Sequence, residues 1–354
     1  MMLNRTPGRG GEQDLQALDA RSAVEAAAWA PSVHDARPWL FTVENDRISL
    51  RADPERRLDV SDPEGREMLI SCGAALFTLR VAIRRLGYEP HVRLLPDRDR
   101  PNLLADVHLG VRLPEAAENR RLYGQIRRRR THRGGFQASP VPAWVLSALR
   151  QEAQREGATL RVIVDPHAKG ALAALTMAAE HVHRQIPSYA GEVARWAASQ
   201  NGNGHQNGNG HAQGRRLPAV DWPDEPSTGV ACILTTSADG AGDWLRAGQA
   251  LQRLLLRATA EDGVSAAFHA QALEVPELRE FIRVRFAAGD HPQLMLRLGI
   301  GQGPDVQDDQ TGDDEADQAG QSDQADRSDQ ADRRETTLDG ALKGSFSADP
   351  CRVS

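Results

Sequence analysis

Apolar residues in the stretch Arg66–Leu86 fall at Leu69, Cys72, Leu76, Leu79, Ile83 and Leu86. Steps of three and four place them on one face of a helix. Gly87 follows, where a helix end favours a residue free to take positive φ. A second helix is predicted over Asp243–Glu261, with Trp244, Gly248, Leu251, Leu255 and Ala258 on one face, Asp243 as N-cap and Gly263 as the stop. The two helices share a pattern: Gly73-Ala74-Ala75-Leu76 matches Gly248-Gln249-Ala250-Leu251. Each is followed by strand-like runs, the later ones ending His108-Leu109-Gly110-Val111 and Arg297-Leu298-Gly299-Ile300. An internal repeat of this kind predicts an α+β chain of two related halves packed as an intrachain pseudo-dimer. The boundaries expected are 1–118 and 119–304, with a tail over 305–354. A short Ala-rich helix, Ala20–Trp29, and a strand, Leu40–Glu44, complete the first half. The run Ser199–Gly214, built from Asn, Gly, Gln and His, has no apolar face to bury and reads as a flexible loop.

Charge is unevenly spread along the 354 residues. The net charge is −6, but Asp305–Glu335 holds twelve acidic residues against three arginines. The remainder is therefore mildly basic, at +3, too weakly so to argue for nucleic acid. The tail also repeats Ser-Asp-Gln-Ala-Asp-Arg in tandem and reads as disordered. No run of eighteen apolar residues is present and Met1–Asp14 has no apolar stretch, so neither a membrane span nor a secretory signal is expected. Cys72, Cys232 and Cys351 lie far apart, which argues against a disulfide framework or a structural zinc. The expectation is a soluble cytoplasmic protein.

Two segments could carry chemistry. Ala30-Pro31-Ser32-Val33-His34-Asp35-Ala36-Arg37-Pro38-Trp39 is a rigid turn offering Ser32, Asp35 and Arg37, or else a plain helix-to-strand connection over a buried Trp39. Arg127–Phe136 carries four consecutive arginines, then Thr131 and Arg133. In an extended chain Arg129, Thr131 and Arg133 share one face, a donor set suited to a terminal phosphate. The alternative is a solvated basic patch or a nonspecific nucleic-acid contact. Gly299–Gly303 leads into the acidic tail rather than a helix, so it is no dinucleotide loop. His181 and His183 diverge on a helix and share no metal.

Taken together, the turn with its A-P-S-x-H-x-x-x-P-W pattern, Gly65–Leu76 (G-R-E-x-L-I-S-C-G-A-A-L), Arg130–Phe136 (R-T-H-R-G-x-F), W-L-R-A-G-Q-A-L from Trp244 and Gln271–Arg279 resemble the nitroreductase superfamily, in its Acg-like FMN-binding branch. The resemblance spans roughly residues 20–303. It implies FMN between the halves, with Arg129, Thr131 and Arg133 at the phosphate, and Pro31, Ser32 and Asp35 reaching the flavin. Backbone at Gln271 and Ala272 would lie near flavin N5. Each half carries only one of these segments, which implies one site per chain and a monomer rather than an obligate homodimer. Asp35 and Arg37 stand where the family usually has Asn and Gln, and Arg37 is positioned to neutralise Asp35. The family's C-terminal arginine segment has its nearest counterpart in Arg333–Arg334, beyond the acidic insertion. The implied activity is hydride transfer from NAD(P)H through FMN to a nitroaromatic or quinone-like small molecule. The alternative within the same branch is an FMN-sequestering stress protein with little turnover. Neither a nucleic acid nor a membrane is implied as a partner, and no catalytic side chain or metal is assigned.

Overall fold

The computed structural model describes residues 9–44, 47–132, 135–192, 229–261 and 263–301. Sequence expectations for 199–214, for the acidic tail with Arg333–Arg334, and for Arg133 fall outside these residues. Two four-stranded antiparallel sheets form the frame. The first contains β1 (Trp39–Glu44), β2 (Arg47–Ala52), β3 (Tyr88–Leu94) and β4 (Leu103–Arg112), in the order β1-β2-β4-β3. The second contains β5 (Thr159–Ile163), β6 (Val230–Thr236), β7 (Val264–His269) and β8 (His291–Ile300), in the order β5-β6-β8-β7. Both sheets therefore have the same strand order, with a long helix inserted after the second strand.

The helices are α1 (Arg9–Ala27), α2 (Arg66–Arg85), α3 (Ala117–Tyr123), α4 (Ala143–Arg155), α5 (Pro166–Arg184), α6 (Ala241–Thr259), α7 (Gln271–Glu274) and α8 (Pro276–Arg285). A further helical stretch covers 187–192. The α1 helix begins earlier than the Ala-rich pattern indicates and stops at Ala27. There Trp29 and Ala30 donate to the carbonyls three residues back, and Pro31 follows. Its buried stripe is Ala20, Ala23, Val24 and Ala27. The α2 helix matches its expected bounds, and Gly87 beyond it has φ 85°. The α6 helix starts at Ala241 with Gly240 as the cap, so Asp243 is not the N-cap. Its carboxylate instead lies one turn inside and accepts the Gly240 N–H at 3.1 Å, the reciprocal arm of a capping box.

The shared Gly-x-Ala-Leu pattern has a steric reason. A Cβ on Gly73 would lie 2.3 Å from the Leu245 carbonyl oxygen, and one on Gly248 would lie 1.9 Å from that of Ile70. The backbones of α2 and α6 touch at this crossing. The two cores also exchange a residue there: Leu245 of α6 packs into the first core with Trp39, Phe41 and Leu76, and Ile70 of α2 packs into the second with Leu251, Leu254 and Leu296. Below the crossing, Gln252 Nε2 donates to Thr78 Oγ1 at 3.0 Å, and Arg80 bridges Glu156 (2.6 Å) and Gln249 (2.8 Å).

Asp239, just before α6, joins α6, α8 and β8. It accepts from Arg279 at 2.7 and 2.8 Å, from Trp244 Nε1 at 2.8 Å and from Gln293 Nε2 at 2.9 Å. Partial burial pushes its pKa up, but these donors outweigh it and hold the carboxyl far below the usual range. A depressed pKa contributes stability above the unfolded value near 3.9, and that stability is lost as the pH falls toward the folded value. Asp239→Asn is therefore expected to melt below wild type at pH 7, with the gap narrowing as the pH drops below about 4. Thermal melts across that range check this; a gap independent of pH would show that the charge contributes nothing.

Candidate functional site

The turn after α1 is held from beneath. Ser32 Oγ accepts the Arg37 N–H at 3.0 Å, and Ser71 Oγ on α2 accepts the Val33 N–H at 3.2 Å while donating to the Glu67 carbonyl at 2.8 Å. Arg56 Nη1 donates to the Ala36 carbonyl at 3.1 Å. Trp39 is fully buried, so the plain structural role read for it is real, but the turn does more than cover it. Asp35 and Arg37 take φ of 53° and 48°. Left-handed backbone at residues with a Cβ costs of order 1–3 kcal/mol each and persists only where the surroundings impose it. Arg37 pairs with Asp35 through Nε at 3.1 Å and Nη2 at 3.3 Å, using both carboxylate oxygens. This is the neutralising pair the sequence positions. The cavity under the turn, lined by Val33, Ala36, Pro38, Leu58, Met68 and Ser71 together with the charged Arg56 and Asp62, has a volume of about 10 Å³. That admits about one water.

The basic segment is not the extended strand its spacing predicts. Arg128 and Arg129 both donate their N–H to the Gln125 carbonyl, and Arg130 Nη1 folds back onto the carbonyls of Arg127 and Arg129. The chain runs on from α3 in turns, because local hydrogen bonds satisfy the backbone before any strand partner is reached. Thr131 pairs in a parallel bridge to Ala266, with the His132 N–H on the Ala266 carbonyl at 2.9 Å, and Phe136 pairs in an antiparallel bridge to Gly301. Arg129 and Thr131 nevertheless meet: Arg129 Nη1 donates to Thr131 Oγ1 at 3.3 Å. Arg129 Nε is buried with no partner among the described residues. Burial and the neighbouring Arg130 lower the Arg129 pKa to about 10, while the charge of Asp35 acts in the opposite direction. The turn and the basic segment are thus within electrostatic reach. Arg127 also lies over the Trp29 ring at 5.3 Å, tying the segment to the end of α1.

Gln271 and Ala272 open α7. Ala272 is fully buried, and Gln271 Oε1 is buried without a partner among the described residues. The opposite end of α7 reaches a group of ionisable residues that the sequence reading did not single out. Arg66 Nη2 donates to Glu67 Oε1 at 2.7 Å and Arg66 Nη1 to the Gln293 carbonyl at 2.5 Å, joining α2 to β8. Tyr189 OH lies 3.5 Å from Glu274 Oε2, and the His183 ring stacks on Tyr189 at 4.2 Å. Glu192 accepts from Val60 N, Ser61 N and Ser61 Oγ at 3.1, 3.0 and 2.9 Å. Burial raises Glu67 to about 7, with Arg66 opposing and Asp62 adding to the rise; burial and the Glu67 charge push Glu274 well up. The signal for these residues lay in Gly65-Arg66-Glu67, where a base and an acid open a helix that next runs through Met68-Leu69-Ile70 to the small residues Gly73-Ala74-Ala75.

A charged guanidinium with an unused buried N–H beside a hydroxyl suits an anionic phosphate. A buried amide oxygen lacking a donor suits a ring N–H. No group of His, Cys, Asp and Glu among the described residues is arranged to hold a metal, and no described helix is long and apolar enough to cross a membrane.

No family model matches the chain. It is 32% identical over 293 residues to the Mycobacterium tuberculosis protein named "Putative NAD(P)H nitroreductase Rv3131", covering 79% of this chain and 84% of that one. It is 28% identical over 295 residues to "Putative NAD(P)H nitroreductase acg" of the same organism, covering 79% and 88%. Among solved structures, a nitroreductase with bound FMN from Bacteroides fragilis aligns with 51% of this chain and 88% of its own, at 13% identity and a TM-score of 0.34, too distant to bear on the fold.

Proposed function

Because this chain belongs to the nitroreductase superfamily, on its Acg-like branch, we propose that it binds one FMN where its two halves meet and passes hydride from NAD(P)H to a small nitroaromatic or quinone-like acceptor. The observation that carries this reading is the Arg129–Thr131 pair, with its unused buried guanidinium N–H, within electrostatic reach of the strained Asp35–Arg37 turn. The halves are residues 1–118 and 119–304, a pseudo-dimer within one monomeric chain. The common strand order and the reciprocal exchange of Ile70 and Leu245 support this division.

FMN supplies the two-electron chemistry when bound. The chain's own residues bind and orient it. Arg129 and Thr131 hold the phosphate, together with Arg133. Pro31, Ser32 and Asp35 present the turn to the ring, and Arg37 cancels the Asp35 charge so that the turn adds little net negative field. Gln271 and Ala272 would offer an amide oxygen and backbone near flavin N5. The protein works as a soluble cytoplasmic enzyme on this reading.

Flavin released by heat should amount to about one FMN per chain, since each half carries only one of the two segments; a ratio near two would sink the division into complementary halves. The same preparation tests turnover. Anaerobic mixing with NADH or NADPH should bleach the bound flavin, and a quinone should restore its colour. Flavin that stays oxidised with both nucleotides would favour an FMN store over an enzyme.

A further inference from the structure

The buried acids around α2 divide by their hydrogen-bond donors. Glu192 takes two backbone N–H groups and a hydroxyl, and Asp62 Oδ2 takes the Met68 N–H at 2.8 Å. Burial raises the Asp62 carboxyl, and backbone N–H donors together with the Arg66 charge oppose that rise. Glu67 and Glu274, each about 1% exposed, are supplied differently. Glu67 Oε1 has its bond from Arg66, but Glu67 Oε2 has no partner among the described residues. Glu274 faces the Tyr189 hydroxyl and the His183 ring, each at 3.5 Å, and burial lowers the His183 pKa, which keeps that imidazole neutral. Arg66 spends a second N–H on the Gln293 carbonyl, and Arg279 is engaged on both nitrogens by Asp239. Among the described residues Arg66 therefore lowers all three of Asp62, Glu67 and Glu274, while Arg279, hydrogen-bonded to Asp239, adds a weaker pull on Glu67. Full ionisation of all three is disfavoured in so poorly solvated a place.

The position matters as much as the charge. Glu67 sits one helical turn before Ser71, which supports the 31–37 turn, and Glu274 closes the short helix that Gln271 opens. These two carboxyls stand behind both segments assigned to the flavin ring. We propose that Glu274 stays protonated in the folded protein, and that Glu67 takes up a proton from solvent when negative charge builds on the neighbouring flavin and releases it on reoxidation. This rests on the flavin site argued above. One carboxylate becomes one carboxylic acid, no bond to the flavin forms, and the added positive charge offsets the added negative one. Glu67 is a positioning residue, acting through its field.

Infrared spectroscopy reads protonated carboxyls directly. In the oxidised holoprotein, a buried carboxyl band that persists at pH 8 is expected and should vanish in Glu274→Gln. A second band should titrate near neutral pH and vanish in Glu67→Gln. On electrochemical reduction at pH 7 the Glu67 band should grow, and a pH indicator should record up to about half a proton more taken up per flavin in wild type than in Glu67→Gln, since a group titrating near 7 is already about half protonated there. Tyr189→Phe, which keeps both acids, should shift the Glu274 band without removing it and guards against a misfolded glutamine variant. Absence of protonated carboxyl bands at pH 7, or equal proton uptake in wild type and Glu67→Gln, overturns the proposal. A chain that takes up no FMN overturns the functional reading and the redox link together, while the pH titration of the bands still decides the charge states of Glu67 and Glu274.

Discussion

Gly248→Ala is expected to lower the melting temperature by roughly 6–12 °C, the consequence of about 3 kcal/mol lost. The added methyl would sit 1.9 Å from the Ile70 carbonyl oxygen and 2.8 Å from its carbon, both backbone atoms of a helix buried on nearly every side. Relief requires α2 and α6 to move apart, and that loosens Ile70 and Leu245, which each helix lends to the other's core. Gly242→Ala is the control. It lies in the first turn of the same helix, and its new methyl would meet Arg246 Nη1 at 3.5 Å, ordinary contact. That variant should melt like wild type or slightly above it, since alanine narrows the unfolded ensemble. If both variants melt alike, the close crossing does not govern stability.

Arg129→Ala is expected to weaken FMN about 10- to 100-fold while leaving the feebler binding of riboflavin nearly unchanged. Charge-assisted hydrogen bonds contribute roughly 1.5–3 kcal/mol each, and every 1.4 kcal/mol is tenfold in affinity. Riboflavin lacks the phosphate, so the contrast separates a phosphate ligand from a residue that merely supports the fold. Arg128→Ala, at an exposed neighbouring position, should alter neither affinity much. Titrations followed by flavin fluorescence decide the matter. An Arg129→Ala protein that binds FMN like wild type would reduce the arginine run to solvated surface.

The helical stripe of α2 was legible because Leu69, Cys72, Leu76, Leu79 and Ile83 are the residues that face the first core. A second side of α2 is also buried, at Ile70, Gly73 and Phe77, and periodicity alone is blind to this because small residues against a second helix look neutral. The repeat in the sequence was legible for the same steric reason that makes the crossing tight. At the site, Ser32, Asp35, Arg37, Arg129 and Thr131 were visible as pattern, and the structure adds that Arg129 and Thr131 meet through turns rather than through strand geometry. Glu67, Glu274 and Tyr189 were not visible. An acid in a helix normally reads as a solvent-facing residue, and only long-range packing between α2, α5 and α7 reverses that.

The α2–α6 crossing also sets an order in time. Everything α2 packs against in its own sheet has been made once β4 ends at Arg112, but its glycine face has no cover until α6, beginning at Ala241, leaves the ribosome. At 5–20 residues per second that delay is on the order of ten seconds. For that interval the nascent chain presents Ile70, Gly73 and Phe77 as an open apolar stripe, shaped to receive a helix of the same pattern. Another nascent copy carries such a helix in its own α2, so pairing between chains competes with completion of each one. High expression levels should therefore favour a misassembled fraction, and slower elongation, which lengthens the uncovered interval, should enlarge it further.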